Sequence, residues 1–264
     1  MNLKLIGKTA LVTGSTAGIG LAIAESLVAE GANVVLNGRT RERVEAAVIT
    51  VKAGFPDIRI TGVVADLSTP EGAAKVIDGI SDVDILINNV GIFEPKPFEE
   101  IPDEDWLRLF EANVMSGVRL SRFYLPKMKA KNWGRIVFIS SESGVQIPAE
   151  MVHYGMTKSA QIAIARVMAE TTVGTKVTVN SVLPGPTASE GVSTFVEQMA
   201  AEQAITKEQM EKQFFETARP SSLLKRFIEP KEIGDIVAFV CSPLASAING
   251  AAVRADGGVI RSLV

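Results

Sequence analysis

Thr13-Gly14-Ser15-Thr16-Ala17-Gly18-Ile19-Gly20 lies between a short apolar run, Thr9 to Val12, and a stretch of helical period, Ile19 to Glu30. A glycine-rich turn between a strand and a helix can hold a phosphate, because glycine permits close backbone approach and the helix N-terminus offers unpaired N–H groups with partial positive charge. The spacing G-x3-G-x-G differs from the better-known G-x-G-x-x-G pattern. Taken alone it also fits an ordinary βα turn with packing glycines.

The same alternation continues along the chain. Apolar runs at Asn33 to Leu36, Ile58 to Val64, Ile85 to Ile87, Arg135 to Ile139 and Val177 to Leu183 read as strands covered on both faces. Between them the spacing predicts helices at Arg41 to Ala53, Asp103 to Lys129 and Tyr154 to Thr172. Such βα repetition gives a doubly wound α/β fold, a parallel sheet of about seven strands with helices on both faces. After Pro184 the rhythm breaks into a polar, helix-prone stretch, residues 189–228, carrying Phe195, Met199, Met210, Phe214 and Phe215. It reads as a lid inserted in one domain spanning residues 1–264. A helix at Pro230 to Val240 and a last strand at Ala251 to Ala255 then complete the pattern.

Composition narrows the class. The 264 residues are 47% hydrophobic and 22% charged, which excludes disorder, and 27 basic against 30 acidic side chains leave no footprint for nucleic acid. The expected partners are small molecules or other proteins. Met1 to Gly7 lacks the pattern of a secretory signal, and no apolar stretch approaches a membrane span of roughly 18 residues. One cysteine, Cys241, excludes an internal disulfide and a multi-cysteine metal site; no metal is expected, and a cytoplasmic location fits.

At the end of the second strand, Leu36-Asn37-Gly38-Arg39 carries no carboxylate where one would bind an adenosine ribose. Arg39 can pair with a 2′-phosphate, so NADP(H) is favoured and NAD(H) is the alternative. The competing reading makes Arg39 a solvated residue beside Arg41 and Arg43.

Tyr154 and Lys158 stand four apart at the start of a helix and share a face. An ammonium there stabilises a phenolate, whose ordinary pKa of about 10 otherwise makes it a poor acid or base at neutral pH. Ser141, thirteen residues before Tyr154 at the end of the fifth strand, is placed to hydrogen-bond a carbonyl oxygen, with Ser140 and Ser143 as alternatives. His153 adjoins Tyr154, but neighbours on a helix point about 100° apart, so a shared site does not follow.

In this combination the chain resembles the short-chain dehydrogenase/reductase family, single-domain oxidoreductases on a Rossmann fold. The resemblance runs through Thr13 to Gly20, Asp66-Leu67, Asn88-Asn89-Val90-Gly91, Asn113, Ser141, Tyr154 with Lys158, Asn180 to Gly185 and Asp256-Gly257-Gly258. It implies that Ser141 holds the substrate oxygen, Tyr154 moves the proton, Lys158 lowers the Tyr154 pKa and binds the nicotinamide ribose, and Asn113 positions a relay water. It further implies a cofactor site made of Gly14, Ser15, Thr16, Gly18, Ile19, Gly20, Arg39, Asp66, Leu67, Asn89, Gly91, Tyr154, Lys158, Pro184, Gly185 and Thr187. Val90 for a usual alanine and Ser189 for a frequent threonine are the departures. Related enzymes assemble through the two long helices, so a homo-oligomer, tetramer or dimer, is expected. Substrates left open are 3-oxoacyl thioesters, aromatic or steroid-like ketones, sugars and aldehydes. The lid's Lys207, Lys212, Arg219, Lys225 and Arg226 could meet an anionic group or form its solvated face. A nucleotide-binding regulatory protein without turnover is the reading from a different class, and dehydration or epimerisation on the same fold is a third.

Overall fold

Seven parallel strands form one sheet in the order β3-β2-β1-β4-β5-β6-β7. The computed structural model describes residues 2–263 apart from the Phe195 side chain, so the expected place of Phe195 among the lid's apolar groups lies outside the described residues. The strands are β1 Thr9–Val12, β2 Asn33–Gly38, β3 Ile60–Val64, β4 Ile85–Asn88, β5 Gly134–Ile139, β6 Val177–Pro184 and β7 Ala252–Ala255. The helices are α1 Gly18–Ala29, α2 Arg41–Gly54, α3 Pro70–Gly79, α4 Asp103–Phe110, α5 Ser116–Ala130, α6 Val152–Glu170, α7 Glu190–Glu202, α8 Lys207–Thr217 and α9 Pro230–Cys241.

Alternation along each strand divides the core in two. Ala10, Val12, Ile85, Ile87, Val137 and Ile139 pack with Ile23 and Leu27 of α1 and Ile233 and Val237 of α9. Leu11, Leu86, Ile136 and Phe138 point the other way, onto Leu120 and Tyr124 of α5 and Ala165 of α6. The chain reverses direction of winding between β1 and β4, and the C-terminal strand ends on either side of that switch point open a crevice.

Three differences from the sequence reading have local causes. Strand β3 starts at Ile60 because Ile58 closes a turn onto the Phe55 carbonyl. Helix α3 was not anticipated, although Thr69 caps it and Pro70 occupies its first turn. The single helix expected over Asp103 to Lys129 is interrupted by a π-helical turn, Glu111–Met115. There Asn113 turns its amide to the main chain of Ile92, and the Ser116 hydroxyl takes the Ala112 carbonyl at 2.6 Å.

The lid forms its own small core. Val196 and Ala200 of α7 meet Met210 and Phe215 of α8 and Phe227, with Phe214 stacked on Phe227 at 5.2 Å. These aromatic side chains therefore hold the lid together. Its cations are also engaged: Lys207 with Glu197, Lys212 with Glu216, Arg226 with Glu232, Arg219 with Glu142, and Lys225 with the Pro220 carbonyl.

Candidate active site

The turn after β1 is braced from beneath. The Ser15 hydroxyl donates to the Val12 carbonyl at 2.7 Å and accepts from Asn37 N at 3.0 Å, so this buried side chain supports the turn and cannot itself face a ligand. Asn89 donates through Nδ2 to the carbonyls of Thr13 and Gly14, each at 3.0 Å. Gly18 has φ +56°, and a Cβ on Gly20 would stand 2.4 Å from the Gly14 oxygen, so side chains at either position would deform the turn.

Helix α1 begins without a cap. Its N-cap residue Ala17 has no side-chain acceptor, and the first main-chain bond runs from Leu21 N to the Ala17 carbonyl. The amides of Gly18, Ile19 and Gly20 consequently have no acceptor among the described residues, the donor set a pyrophosphate needs. Thr16 is half-buried beside them, and Arg39 is exposed past the end of β2 with no intrachain ion pair among the described residues. Beyond β3, Asp66 is exposed, its Oδ1 accepting from Ser68, whereas Leu67 buries its side chain in the second core and leaves only main chain to the crevice.

On the other side, β6 ends at Pro184, and Gly185 lies so close to Asp256 that a Cβ would stand 2.5 Å from its carbonyl oxygen. Thr187 is buried and its hydroxyl donates to the Gly185 carbonyl at 2.9 Å. The lid then starts over the glycine turn: a Cβ on Gly18 would meet Ser189 at 3.1 Å, and Arg43 of α2 pairs with Glu190 of α7 at 2.6 Å.

At the ends of β4, β5 and α6, Gly91, Ser141, Tyr154 and Lys158 converge. Lys158 Nζ lies 5.6 Å from the centroid of the Tyr154 ring, and a Cβ on Gly91 would lie 3.3 Å from that nitrogen. Phe93 flanks the Tyr154 ring edge-on at 6.1 Å. Ser141 is 7% exposed; its hydroxyl donates to Glu142 Oε2 and accepts from Ser143 N at 3.1 Å. Ser140 and Ser143 are committed elsewhere, to the Lys158 carbonyl and to Glu142. His153 is buried against Trp106, 5.9 Å between centroids.

The electrostatics depart from expectation. Burial first, and then the Glu142 charge, push the Tyr154 phenol well above its usual range, while the nearby Ser141 hydroxyl and the Arg219 charge oppose this. Lys158 stands beside the same ring, 5.6 Å from its centroid. Buried to 4% exposure, this amine is itself pushed down to about 7, and it donates to the Ile139 carbonyl at 2.8 Å and Gln161 Oε1 at 3.2 Å.

Two features escaped the sequence reading. Gln161, one turn beyond Lys158 on α6, links Lys158 to the Asn113 carbonyl, which accepts from Nε2 at 2.5 Å. Its spacing of three from Lys158 was the available signal. The other is the buried pair of Glu142 with Arg219 at 2.9 Å, which joins residues 77 apart in sequence and left no local pattern.

The strand ends, the uncapped helix and the Ser–Tyr–Lys cluster together form the crevice of a nucleotide-dependent oxidoreductase. The chain belongs to the short-chain dehydrogenase family, whose model matches residues 8–200. It is 48% identical over 263 residues to the uncharacterized oxidoreductase YvaG of Bacillus subtilis, with all of both chains covered. It is 35% identical to D-beta-hydroxybutyrate dehydrogenase of Cupriavidus necator, over 96% of this chain and 98% of that one. Among solved structures, L-sorbose reductase of Gluconobacter frateurii, complexed with NADPH and L-sorbose, superposes with a TM-score of 0.93 at 31% identity, each chain fully covered.

Proposed function

We propose that this chain is an NADP(H)-dependent reductase of carbonyl compounds, working in reverse as a secondary-alcohol dehydrogenase. The observation that carries this reading is the convergence of Ser141, Tyr154 and Lys158 beside the open backbone at Gly91. The nicotinamide cofactor, when bound, supplies or accepts the hydride.

The residues fit such a cofactor. The free amides of Gly18, Ile19 and Gly20 with Gly14 and Thr16 suit its pyrophosphate, and the exposed Arg39 suits a 2′-phosphate. Asp66, the main chain of Leu67, Asn89 and Gly91 take the adenosine side. Pro184, Gly185 and Thr187 shape the wall toward the nicotinamide, and Tyr154 and Lys158 close the ribose side. The NADPH bound in the L-sorbose reductase structure supports the same preference.

In reduction, Ser141 holds the carbonyl oxygen and Tyr154 gives its phenolic proton to the developing alkoxide. A carboxylate-free line of polar groups then runs from Lys158 through Gln161 to the Asn113 carbonyl. It fixes the Lys158 amine within reach of a ribose hydroxyl, and in its protonated form that amine favours the phenolate. Asn113 anchors this line from the π-turn, and its carbonyl is the group that would position a water relaying a proton from Lys158 to solvent.

The reading is tested by following reduced-nicotinamide absorbance with NADPH and with NADH over 3-oxoacyl thioesters, sugars, aromatic ketones and aldehydes. Turnover with NADPH is the expected result. Tight cofactor binding with no turnover across the panel would favour a nucleotide-binding regulatory protein. We infer in addition a homo-oligomer, supported by the exposed apolar side chains Leu107 on α4 and Val167 on α6.

A further inference from the structure

Glu142 follows the Ser141 position directly and is 4% exposed, an uncommon place for a carboxylate. It is fully engaged. Oε2 accepts from the Ser141 hydroxyl, from Ser143 N at 2.7 Å and from the Ser143 hydroxyl at 3.0 Å, and Oε1 accepts from Arg219 Nε at 2.9 Å. Arg219 comes from the other side of the crevice. It follows α8 directly, is 8% exposed, lies 5.8 Å from the Phe214 ring of the lid core and donates through Nη1 to the Ala218 carbonyl. A buried carboxylate needs a counter-charge, and the only one paired with Glu142 among the described residues is carried by the lid.

We propose that Arg219 and Glu142 form a charge latch through which docking of the lid sets the orientation of the Ser141 hydroxyl and the protonation of Tyr154, making both of them positioning residues of the reaction. This rests on the assignment of Tyr154 as the proton-transfer group.

The turn carrying Glu142 packs on the start of α6, where the Ser159 hydroxyl donates to the Gly144 carbonyl at 2.6 Å, so the charged groups around Tyr154 are Glu142, its partner Arg219 from the lid, and Lys158 from α6. Ser141 has one proton, and the Glu142 carboxylate holds it, which withholds it from any other acceptor in the crevice. With Arg219 docked, the carboxylate is neutralised, its hold on the Ser141 proton weakens and a phenolate becomes easier to form. With Arg219 withdrawn, an unpaired carboxylate beside the phenol opposes ionisation and keeps the Ser141 proton to itself. Proton transfer is then tuned for the closed lid, when substrate is enclosed. No covalent bond forms or breaks in the latch itself.

The two single variants must act in opposite directions, which loosening of the site cannot imitate. The chain has two tyrosines, Tyr124 and Tyr154, so protein labelled with 13C at tyrosine Cζ gives two signals, assigned with Tyr154→Phe, and Tyr154 ionisation can be followed without any turnover. We expect Glu142→Gln to ionise at a pH about one to two units below the wild type. Arg219→Gln should ionise no earlier than the wild type, Arg219→Lys close to it, and the double variant Glu142→Gln/Arg219→Gln should return toward it. The alkaline limb of carbonyl reduction, lost as Tyr154 gives up its proton, should shift in the same order. Glu142→Gln ionising no earlier than the wild type, or Arg219→Gln ionising earlier, overturns the latch. Because the signal is read on cofactor-free protein, the expected order with no reductase activity would uphold the latch and overturn the functional reading. Tyrosine-dependent turnover with superimposed titrations would do the reverse.

Discussion

The side chain of Gln161 donates to the main-chain carbonyl of Asn113 at 2.5 Å while its amide oxygen accepts from Lys158 at 3.2 Å. All three groups are buried, so the glutamine satisfies a carbonyl in the π-turn and a lysine that have few other partners. Gln161→Leu keeps the volume but leaves both ends without their partner. It should lower stability by about 1–3 kcal/mol, read from urea midpoints at unchanged slope, and should lower kcat more than it raises KM. Unchanged stability and kinetics would mean that the bridge is incidental.

Lys158 makes a distinct prediction for pH. Its folded-state pKa is pushed down by burial to about 7 from an ordinary 10.5, so between those values the unfolded chain binds more protons and stability rises with pH. Below 7 both states are protonated and the full penalty of burying the charge is present. Lys158→Met removes that penalty. Its thermal midpoint should exceed the wild type most at the acid end of the range and converge with it toward 10.5. A difference that is constant with pH would contradict the buried, readily deprotonated amine.

Much of this site was legible in the sequence because its signals are local. The Thr13 to Gly20 turn, the Tyr154–Lys158 spacing and Ser141 at a strand end depend on short-range geometry, and the fold brings Ser141, Tyr154 and Lys158 together. The seven-stranded parallel sheet followed from short, mostly apolar runs alternating with segments of helical period. What escaped is non-local or has no spacing rule. Glu142 carries no sequence signal and Arg219 reads equally as a group for an anion or as part of a solvated face, because their pairing exists only once the lid is folded back. The π-turn, where the Asn113 amide is bonded to the Ile92 main chain, has no spacing rule in the sequence. Ser15 matched the motif, yet its hydroxyl is spent on Val12 and Asn37. Lys158 reads from the sequence as an ammonium beside Tyr154, and its burial, which pushes the amine down to about 7, has no local sequence signal.

The proposed preference for NADP(H) rests on Arg39, exposed past the end of β2 and without an ion pair among the described residues. Arg39→Ala should raise the Kd for NADPH about tenfold or more and change that for NADH less than about twofold, measured by fluorescence titration. Equal losses for both cofactors would remove the 2′-phosphate from the role assigned to this side chain.

Assembly is checked by mass. Light scattering at micromolar concentration should give a multiple of the 28.1 kDa chain, and Val167→Glu, which places a charge on the exposed apolar face of α6, should reduce it. A monomeric wild type would leave Leu107 and Val167 without the role inferred for them.

The central claim is that the Tyr154 phenol moves the proton in a carbonyl–alcohol interconversion. It is tested most directly by comparing NADPH-dependent turnover of the best carbonyl substrate by the wild type and by Tyr154→Phe, with folding and NADPH affinity shown to match. The predicted result is a loss in kcat of at least about a hundredfold, within the range that a positioned acid contributes. A phenylalanine variant that binds NADPH equally and turns over at a rate close to that of the wild type would contradict it.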